Sequence, residues 1–472
     1  MRFLFCLLFF LMPLSASAGL PSTDSYADVV ERLLPSVVSV SATKVTGRAP
    51  QEMLSVPQGS PFEEFFREFY KDGSMDARKA ILLGSGFVYD ARGHVVTSSH
   101  VVENMSEVMV TFNDGTVLKG KVLGKDPKTD LALLKVESDK PLTPVVLGAS
   151  DQARVGDVVL AIGNPFGLGN TVTSGIISAR SRDIQVGPYD DFIQTDAAIN
   201  RGNSGGPLFN AAGEMIGVNT AIFSPSGGSV GIAFAVPSKM AGWVADALIR
   251  EGTVRRGKLG LKIQTVSPEI ARSLGLSKPA GALVAGLDPD GPAMKSEIRP
   301  GDVILAFNGA AVSTMRSLPR MAAETPVGST VRLTVWRDGK EIVLPLVLEE
   351  MKEPEPARPK LVSAGEGTAV ETMDILGISV ADLSPAVRQK YRLPKNSAGV
   401  MVTSVLPGTD AAGKGLRPGD LIVELDRKPL PSAAAAAKWK KNAGQTGQSS
   451  AFLLIDRAGD RFFMVVNFVP KE

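Results

Sequence analysis

The sequence predicts a mainly β protein of about three domains, and three observations predict it. Runs rich in β-branched residues fill residues 83–237, and Gly, Asn and Asp break them at short intervals. That is the rhythm of barrels or sandwiches, not of strand–helix–strand units. Two segments of the C-terminal half recur at one offset of 118 residues (399 − 281 and 417 − 299). A length of 472 residues, at about 150 to a domain, leaves room for about three such bodies.

The N-terminus reads as a separate object. Arg2 gives a short positive region, Phe3–Leu14 an apolar run, and Ala16-Ser17-Ala18 a small-x-small cleavage pattern. Residues 1–18 are expected to be a signal peptide removed after Ala18, its apolar run too short to span a bilayer comfortably. Cys6, the one cysteine, lies inside it, so the mature chain would hold neither thiol nor disulfide. No later apolar run reaches the roughly 18 residues a membrane span needs, so no transmembrane segment is expected after signal removal. Thr43–Lys79 is polar and irregular, except that Phe62, Phe65, Phe66, Phe69 and Tyr70 share one helical face. Those rings would bury a large apolar area against something.

Strands are expected at 86–90, 94–99, 107–113, 131–136 and 158–163. Pro237–Glu251 has helical spacing, with Met240, Trp243, Val244, Ala247 and Leu248 on one face, and would close the first domain. The repeat follows. Gly281-Ala-Leu-Val-Ala-Gly-Leu-Asp-Pro corresponds to Gly399-Val-Met-Val-Thr-Ser-Val-Leu-Pro, and Arg299-Pro300-Gly301-Asp302 to Arg417-Pro418-Gly419-Asp420. A Leu-Gly pair opens each copy, Leu259-Gly260 and Leu376-Gly377. Between them Glu349–Asp374 is dominated by Pro and charge and reads as a linker. The net charge of +2, without a long basic block, argues against nucleic-acid binding. No metal-ligand cluster or phosphate loop stands out, so no metal, cofactor or ATP is implied.

Gly202-Asn203-Ser204-Gly205-Gly206-Pro207-Leu208 is the informative heptapeptide. A serine hydroxyl attacks only when a neighbouring base takes its proton and donors face the developing oxyanion. Glycines around Ser204 let successive N–H groups point into one cavity, with Gly202 and Ser204 the natural donors. The heptapeptide also satisfies the G-x-S-x-G elbow of α/β-hydrolases. There the catalytic histidine follows the serine, whereas His94 and His100, the two histidines here, both precede Ser204. The β-rich context disagrees as well, which disfavours an esterase of that kind. The order His, Asp, Ser is the chymotrypsin-like one. His100, where a strand gives way to a loop, competes with His94 beside a turn, and residue chemistry favours His100 only modestly. Asp130, at the entrance of an apolar strand, can hold an imidazole tautomer; Asp126, Asp151 and Asp157 look more like turn residues.

Three segments, Thr97-Ser98-Ser99-His100-Val101-Val102, Thr129-Asp130-Leu131-Ala132-Leu133-Leu134 and the Ser204 heptapeptide, resemble the catalytic motifs of the HtrA family of serine proteases. The repeat resembles two PDZ domains, and the architecture is similar to that of the DegP-like branch. The resemblance implies a chymotrypsin-like double β-barrel protease domain over 19–256, a regulatory loop at 43–79, PDZ domains at 257–350 and 371–470, and a linker at 351–370. It implies His100 as base, Asp130 as its orienter and Ser204 as nucleophile, with Gly202, Asn203 and Ser204 at the oxyanion hole and His94 an ordinary strand residue. Thr220, Ala221, Ile222, Phe223 and Ser224 would pair with substrate backbone, and Ile199 would wall a pocket. Asn200, Arg201 and the loop Ser178–Asp191, with Arg180, resemble the activation loops. Each PDZ copy would hold a hydrophobic C-terminal peptide at Leu259-Gly260-Leu261 or Leu376-Gly377-Ile378. Arg255, Arg256 and Lys258 beside the first copy, against Asp374 beside the second, predict stronger binding by the first. The implied partners are unfolded polypeptides, the implied location the periplasm, and the implied assembly a homotrimer or higher oligomer, which Phe65, Phe66 and Phe69 would help to join. The rival from another class is a non-catalytic chaperone or scaffold that binds unfolded chains.

Overall fold

A computed structural model describes residues 25–45, 79–164, 169–200, 202–224, 229–351, 370–391, 393, 397–443, 445 and 448–469. The expected signal peptide, the aromatic face at 62–70, Arg201 and residues 352–369 of the expected linker lie outside the described residues. The chain divides into two compact units, Met1–Arg182 with Asp191–Ala245, and Asp183–Asp190 with Asp246–Glu472.

Among the described residues the first unit opens with helix α1 (Ala27–Leu33) and holds two closed six-stranded barrels. The first is built from β1 (Val37–Val45), β2 (Lys79–Asp90), β3 (His94–Ser98), β4 (Glu107–Thr111), β5 (Val117–Asp126) and β6 (Leu131–Lys135), closing in the order β1-β2-β3-β6-β5-β4. Its core shows the two-residue period of a strand: Val38, Val40 and Ala42 on β1, Val108 and Val110 on β4, Ala132 and Leu134 on β6. A four-residue helix α2 (Ser99–Val102) continues directly from β3, and its four residues are all buried.

The second barrel comprises β7 (Val158–Gly163), β8 (Thr171–Arg182), β9 (Phe192–Thr195), β10 (Pro207–Asn210), β11 (Met215–Ile222) and β12 (Ala233–Pro237), in the order β10-β11-β12-β9-β8-β7. All eight residues of β11 are buried. Helix α3 (Ser238–Glu251) lies where the apolar spacing predicts one, and Met240, Val244, Ala247 and Leu248 are buried. Strand β8 runs on to Arg182, so the loop expected from Ser178 begins only at Asp183. Arg180 is therefore a strand residue, and its guanidinium donates to the Ser150 carbonyl at 3.1 Å.

The second unit contains the two repeats. The first has β13 (Gly257–Lys258), β14 (Leu261–Thr265), helix α4 (Pro268–Ser273), β15 (Ala282–Leu287), β16 (Val303–Phe307), β17 (Ala310–Ala311), helix α5 (Ser317–Ala323), β18 (Thr330–Arg337), β19 (Lys340–Val347) and β20 (Glu349–Glu350). Its main sheet runs β14-β15-β16-β18-β19, with β14 at an edge. The second has β21 (Val370–Met373), β22 (Ile378–Asp382), helix α6 (Pro385–Lys390), β23 (Val400–Val405), helix α7 (Asp410–Gly413), β24 (Leu421–Leu425), β25 (Lys428–Pro429), helix α8 (Ala433–Ala443), β26 (Ser450–Arg457) and β27 (Asp460–Asn467). Its sheet runs β21-β22-β23-β24-β26-β27, so β22, the counterpart of β14, has a strand on both sides. The stretch expected to be linker thus ends in strands, β20 on one side and β21 on the other. Met373 explains the second: it is 0% exposed and packs with Leu376, Ile378, Val380 and Ala436.

The repeated Arg-Pro-Gly-Asp has a structural explanation. Asp302 and Asp420, each 1% exposed, take both arms of a guanidinium, from Arg337 at 2.6 and 2.7 Å and from Arg457 at the same two distances. The far carboxylate oxygen also accepts from the Arg299 or Arg417 N–H, at 2.9 or 3.0 Å. A buried carboxylate survives only with such full satisfaction.

Candidate active site

His100 is the second residue of α2, and its side chain is 0% exposed. Its ring Nδ1 lies 2.7 Å from Asp130 Oδ2, and its backbone N–H donates to Asp130 Oδ1 at 3.0 Å. Asp130 adopts φ +56°, a left-handed conformation that Asp tolerates better than most residues. This turn just before β6 presents the carboxylate to α2, and the Asp130 carbonyl accepts from the Ser99 N–H at 3.0 Å. A third donor arrives from the other barrel: Thr220 Oγ1 donates to Asp130 Oδ2 at 2.6 Å. Burial pushes the Asp130 carboxyl up, but the imidazole's charge and hydrogen bonds and the Thr220 hydroxyl outweigh it and hold the group below its ordinary value.

Thr220 reaches that far because β11 bulges. Asn219 pairs with Ala235 and Ala221 with Phe234 on β12, so Thr220 is the extra residue, and its side chain is re-aimed. Sequence reasoning expected the Thr220 backbone to pair with substrate; it did not foresee that the hydroxyl holds the Asp130 carboxylate. Ala221 and Ile222 are buried and pair with β12, while the register of β10 against β11 ends at Val218. Phe223 donates its N–H to the Ile232 carbonyl at 3.0 Å, and Ser224 follows it. Ile199 is buried, five positions before Ser204.

Ser204 is 2% exposed, in the turn that leads into β10. The first barrel grips this turn. The Ser85 N–H on β2 donates to the Ser204 carbonyl at 2.8 Å. A Cβ built at Gly84 would lie 2.6 Å from Val101, the neighbour of His100, and 3.2 Å from the Ser204 carbonyl oxygen. At Gly205 (φ +84°) it would lie 2.3 Å from the Ser85 carbonyl and 2.7 Å from the Ser98 N. The two absent side chains are what let the serine turn settle against the histidine turn. The Asn203 N–H, expected at the oxyanion hole, donates to the Asn200 carbonyl at 3.1 Å.

The competing residues have other work. His94 Nδ1 lies 2.8 Å from Asp90 Oδ2 at the β2–β3 hairpin. Asp126 accepts from the Thr129 hydroxyl at 2.5 Å, Asp157 faces Arg154, and Asp151 faces Lys239. Among the described residues no group of three or more His, Cys, Asp or Glu could hold a metal ion. The roles of Gly84, Ser85 and Thr220 escaped sequence reasoning. The Gly-Ser-Gly run inside an otherwise apolar strand was the available signal, since strand glycines mark close backbone approach.

The family model "Trypsin-like peptidase domain" matches residues 84–218, and "PDZ domain" matches twice, at 257–347 and 370–448. A solved structure titled "HtrA-type protease AlgW with tripeptide" is 41% identical, covering 70% of this chain and 98% of that one, with a TM-score of 0.57. A Brucella melitensis protein named "Probable periplasmic serine endoprotease DegP-like" is 42% identical over 459 residues, covering 92% of this chain and 87% of that protein. The chain belongs to the HtrA family. A Rhizobium meliloti protein of the same DegP-like name is 43% identical, covering 94% of this chain and 92% of its own. This HtrA protein is a serine endopeptidase whose trypsin-like double-barrel domain is followed by two PDZ domains. Among the described residues no helix is long and apolar enough to cross a membrane.

Proposed function

We propose that Ser204 is the nucleophile, His100 the base and Asp130 the group that orients it. Ser204 attacks a peptide carbonyl while His100 takes its proton; the Gly202 and Ser204 N–H groups receive the oxyanion; His100 then returns the proton to the leaving amine. The observation that carries this reading is the Asp130 carboxylate, which holds His100 through both ring and backbone and is itself held by Thr220. The substrates are unfolded exported polypeptides in the periplasm, cleaved without ATP by a homotrimer or larger assembly that can also hold them. Casein degradation tests the reading. Wild type degrades casein and Ser204→Ala does not; equal degradation by both overturns the assignment, and none by either favours a scaffold.

Peptide binding to the first PDZ domain regulates cleavage. The loop Asp183–Asp190 supports this, because it groups with the PDZ unit rather than with the barrel whose strands it joins. Arg316, at the start of α5, pairs with Asp183 at 2.7 Å, and Arg256 lies 4.8 Å over the Tyr189 ring. A peptide adding itself to β14 would press on α5, since Leu261 and Ile263 share a core with Leu318 and Ala322. The first domain is the stronger binder, though on grounds other than charge. Arg255 is already bidentate with Glu350 at 3.0 and 2.7 Å. In the second domain β21 fills the antiparallel place beside β22 that a peptide strand would take, with the Thr372 carbonyl held by Lys440 at 2.7 Å. In the full chain, Gly260→Ala should abolish binding of a hydrophobic C-terminal peptide and Gly377→Ala should not; the opposite pattern in fluorescence anisotropy sinks the ranking.

A further inference from the structure

Ser85, whose N–H holds the Ser204 carbonyl, is 0% exposed and polar, and its side chain has no part in the site as described so far. It sits on β2 of the first barrel and makes four hydrogen bonds. Its hydroxyl donates to the Gly202 carbonyl at 2.6 Å and accepts from the Asn164 N–H at 2.8 Å. Its N–H donates to the Ser204 carbonyl at 2.8 Å, and its carbonyl accepts from the Thr97 hydroxyl at 2.7 Å.

The consequence appears when the nucleophile turn is taken one peptide plane at a time. In plane 202–203 the carbonyl is held by the Ser85 hydroxyl and the N–H by the Asn200 carbonyl. In plane 204–205 the carbonyl is held by the Ser85 N–H and the N–H by the Asn219 carbonyl at 2.7 Å. Between them, in plane 203–204, the Asn203 carbonyl accepts from the Gly206 N–H at 3.0 Å. Of the six polar groups on these planes, the sixth is the Ser204 N–H, which meets no acceptor among the described residues. That N–H is the donor that oxyanion stabilisation requires. A peptide plane can rotate only as its neighbours allow, so clamping both flanking planes fixes where the middle N–H points.

We propose that Ser85 is a positioning residue for the oxyanion hole: from the first barrel it clamps the planes on either side of the Ser204 N–H. This rests on Ser204 being the nucleophile. Ser85 touches no reacting atom. It acts by setting the direction of a donor whose full loss costs about 10²–10³-fold in turnover. Its own loss is therefore expected to cost less, about 10- to 100-fold.

The test uses the full chain with a chromogenic peptide, a peptide boronate as tetrahedral mimic, and a fluorophosphonate to count active sites. Ser85→Ala should lower kcat per titrated site by about 10- to 100-fold, leave KM within about twofold, and weaken boronate binding by the same factor as kcat/KM. The pH profile should keep its inflection, because the His100–Asp130 pair is untouched. Thr97→Val breaks the hydrogen bond to the Ser85 carbonyl but leaves both clamps. It should lower the thermal midpoint while keeping kcat per site within about twofold. Ser85→Cys, whose thiol is a weaker donor, should fall between wild type and Ser85→Ala, and serves if the alanine variant does not fold. The proposal is overturned if Ser85→Ala loses only thermal stability, or loses turnover in parallel with Thr97→Val. An adduct on a residue other than Ser204 in the wild type would instead overturn the nucleophile assignment beneath it.

Discussion

Two histidines, six residues apart, each hold an aspartate, and by simple measures the pairs are alike. His94 lies 2.8 Å from Asp90 and His100 lies 2.7 Å from Asp130, and each carboxylate side chain is 22% exposed. Both carboxyls sit below their ordinary value: burial raises each, and hydrogen bonds and charge from the histidine more than compensate. What separates the pairs is the third partner. Asp90 shares its charge with Arg92, two residues on and 69% exposed, so that pair closes a hairpin. Asp130 takes the hydroxyl of Thr220 from the other barrel, beside the turn that carries Ser204. Strand β3 puts about 13 Å between the two places, four steps at ~3.3 Å each. A His–Asp distance alone therefore does not tell the two pairs apart; the origin of the next hydrogen bond does.

The largest expected effect is on the imidazoles themselves. His100→Ala should reduce peptide hydrolysis by about 10⁶-fold, as loss of a triad member does elsewhere, while His94→Ala should change it by less than about twofold. Comparable losses in both would erase the distinction drawn here. The carboxylates come next. Asp130→Asn should lower kcat by about 10⁴-fold through the wrong imidazole tautomer, and Asp90→Asn should lower only the thermal midpoint. Below these stands Thr220→Val, expected to cost about tenfold in kcat because the Asp130–His100 geometry loses one of its supports. An unchanged kcat would show that the bond from the second barrel is incidental.

The smallest effect is on stability in acid. A carboxylate held below its ordinary value contributes stability that is present above its unfolded pKa, about 3.9 for Asp. That contribution is lost as pH falls through the lower folded value. Wild-type stability should therefore fall on acidification below about pH 5, and Asp130→Asn and Asp90→Asn should each flatten the fall. A denaturant series at several pH values reads this, and an unaltered slope in Asp130→Asn would contradict the lowered carboxyl.

Much of this was legible in the sequence because it is local. Alternating apolar residues such as Val38, Val40 and Ala42 mark a strand wherever they occur. The heptapeptide around Ser204 and the duplicated Arg-Pro-Gly-Asp are contiguous, and the position of both histidines before Ser204 excluded the elbow fold. What stayed hidden depends on chain returning from far away. Thr220 meets Asp130 across 90 residues and Ser85 meets Gly202 across 117. A bulge at Thr220 has no signature in its own residues. The ranking of the two PDZ domains was read from charge; the sequence did not reveal that Arg255 pairs with Glu350 or that β21 pairs with β22. Asn203 was placed at the oxyanion hole through the family resemblance; its N–H donates to Asn200, only three residues upstream, but the turn joining them shows only in three dimensions.

The most direct test is fluorophosphonate labelling of the full chain, with the adduct located by mass spectrometry in wild type and in the two histidine variants. The account predicts one adduct on Ser204 in wild type and His94→Ala, and its near-complete loss in His100→Ala. An adduct elsewhere, or one on Ser204 that depends on His94 rather than His100, would contradict it.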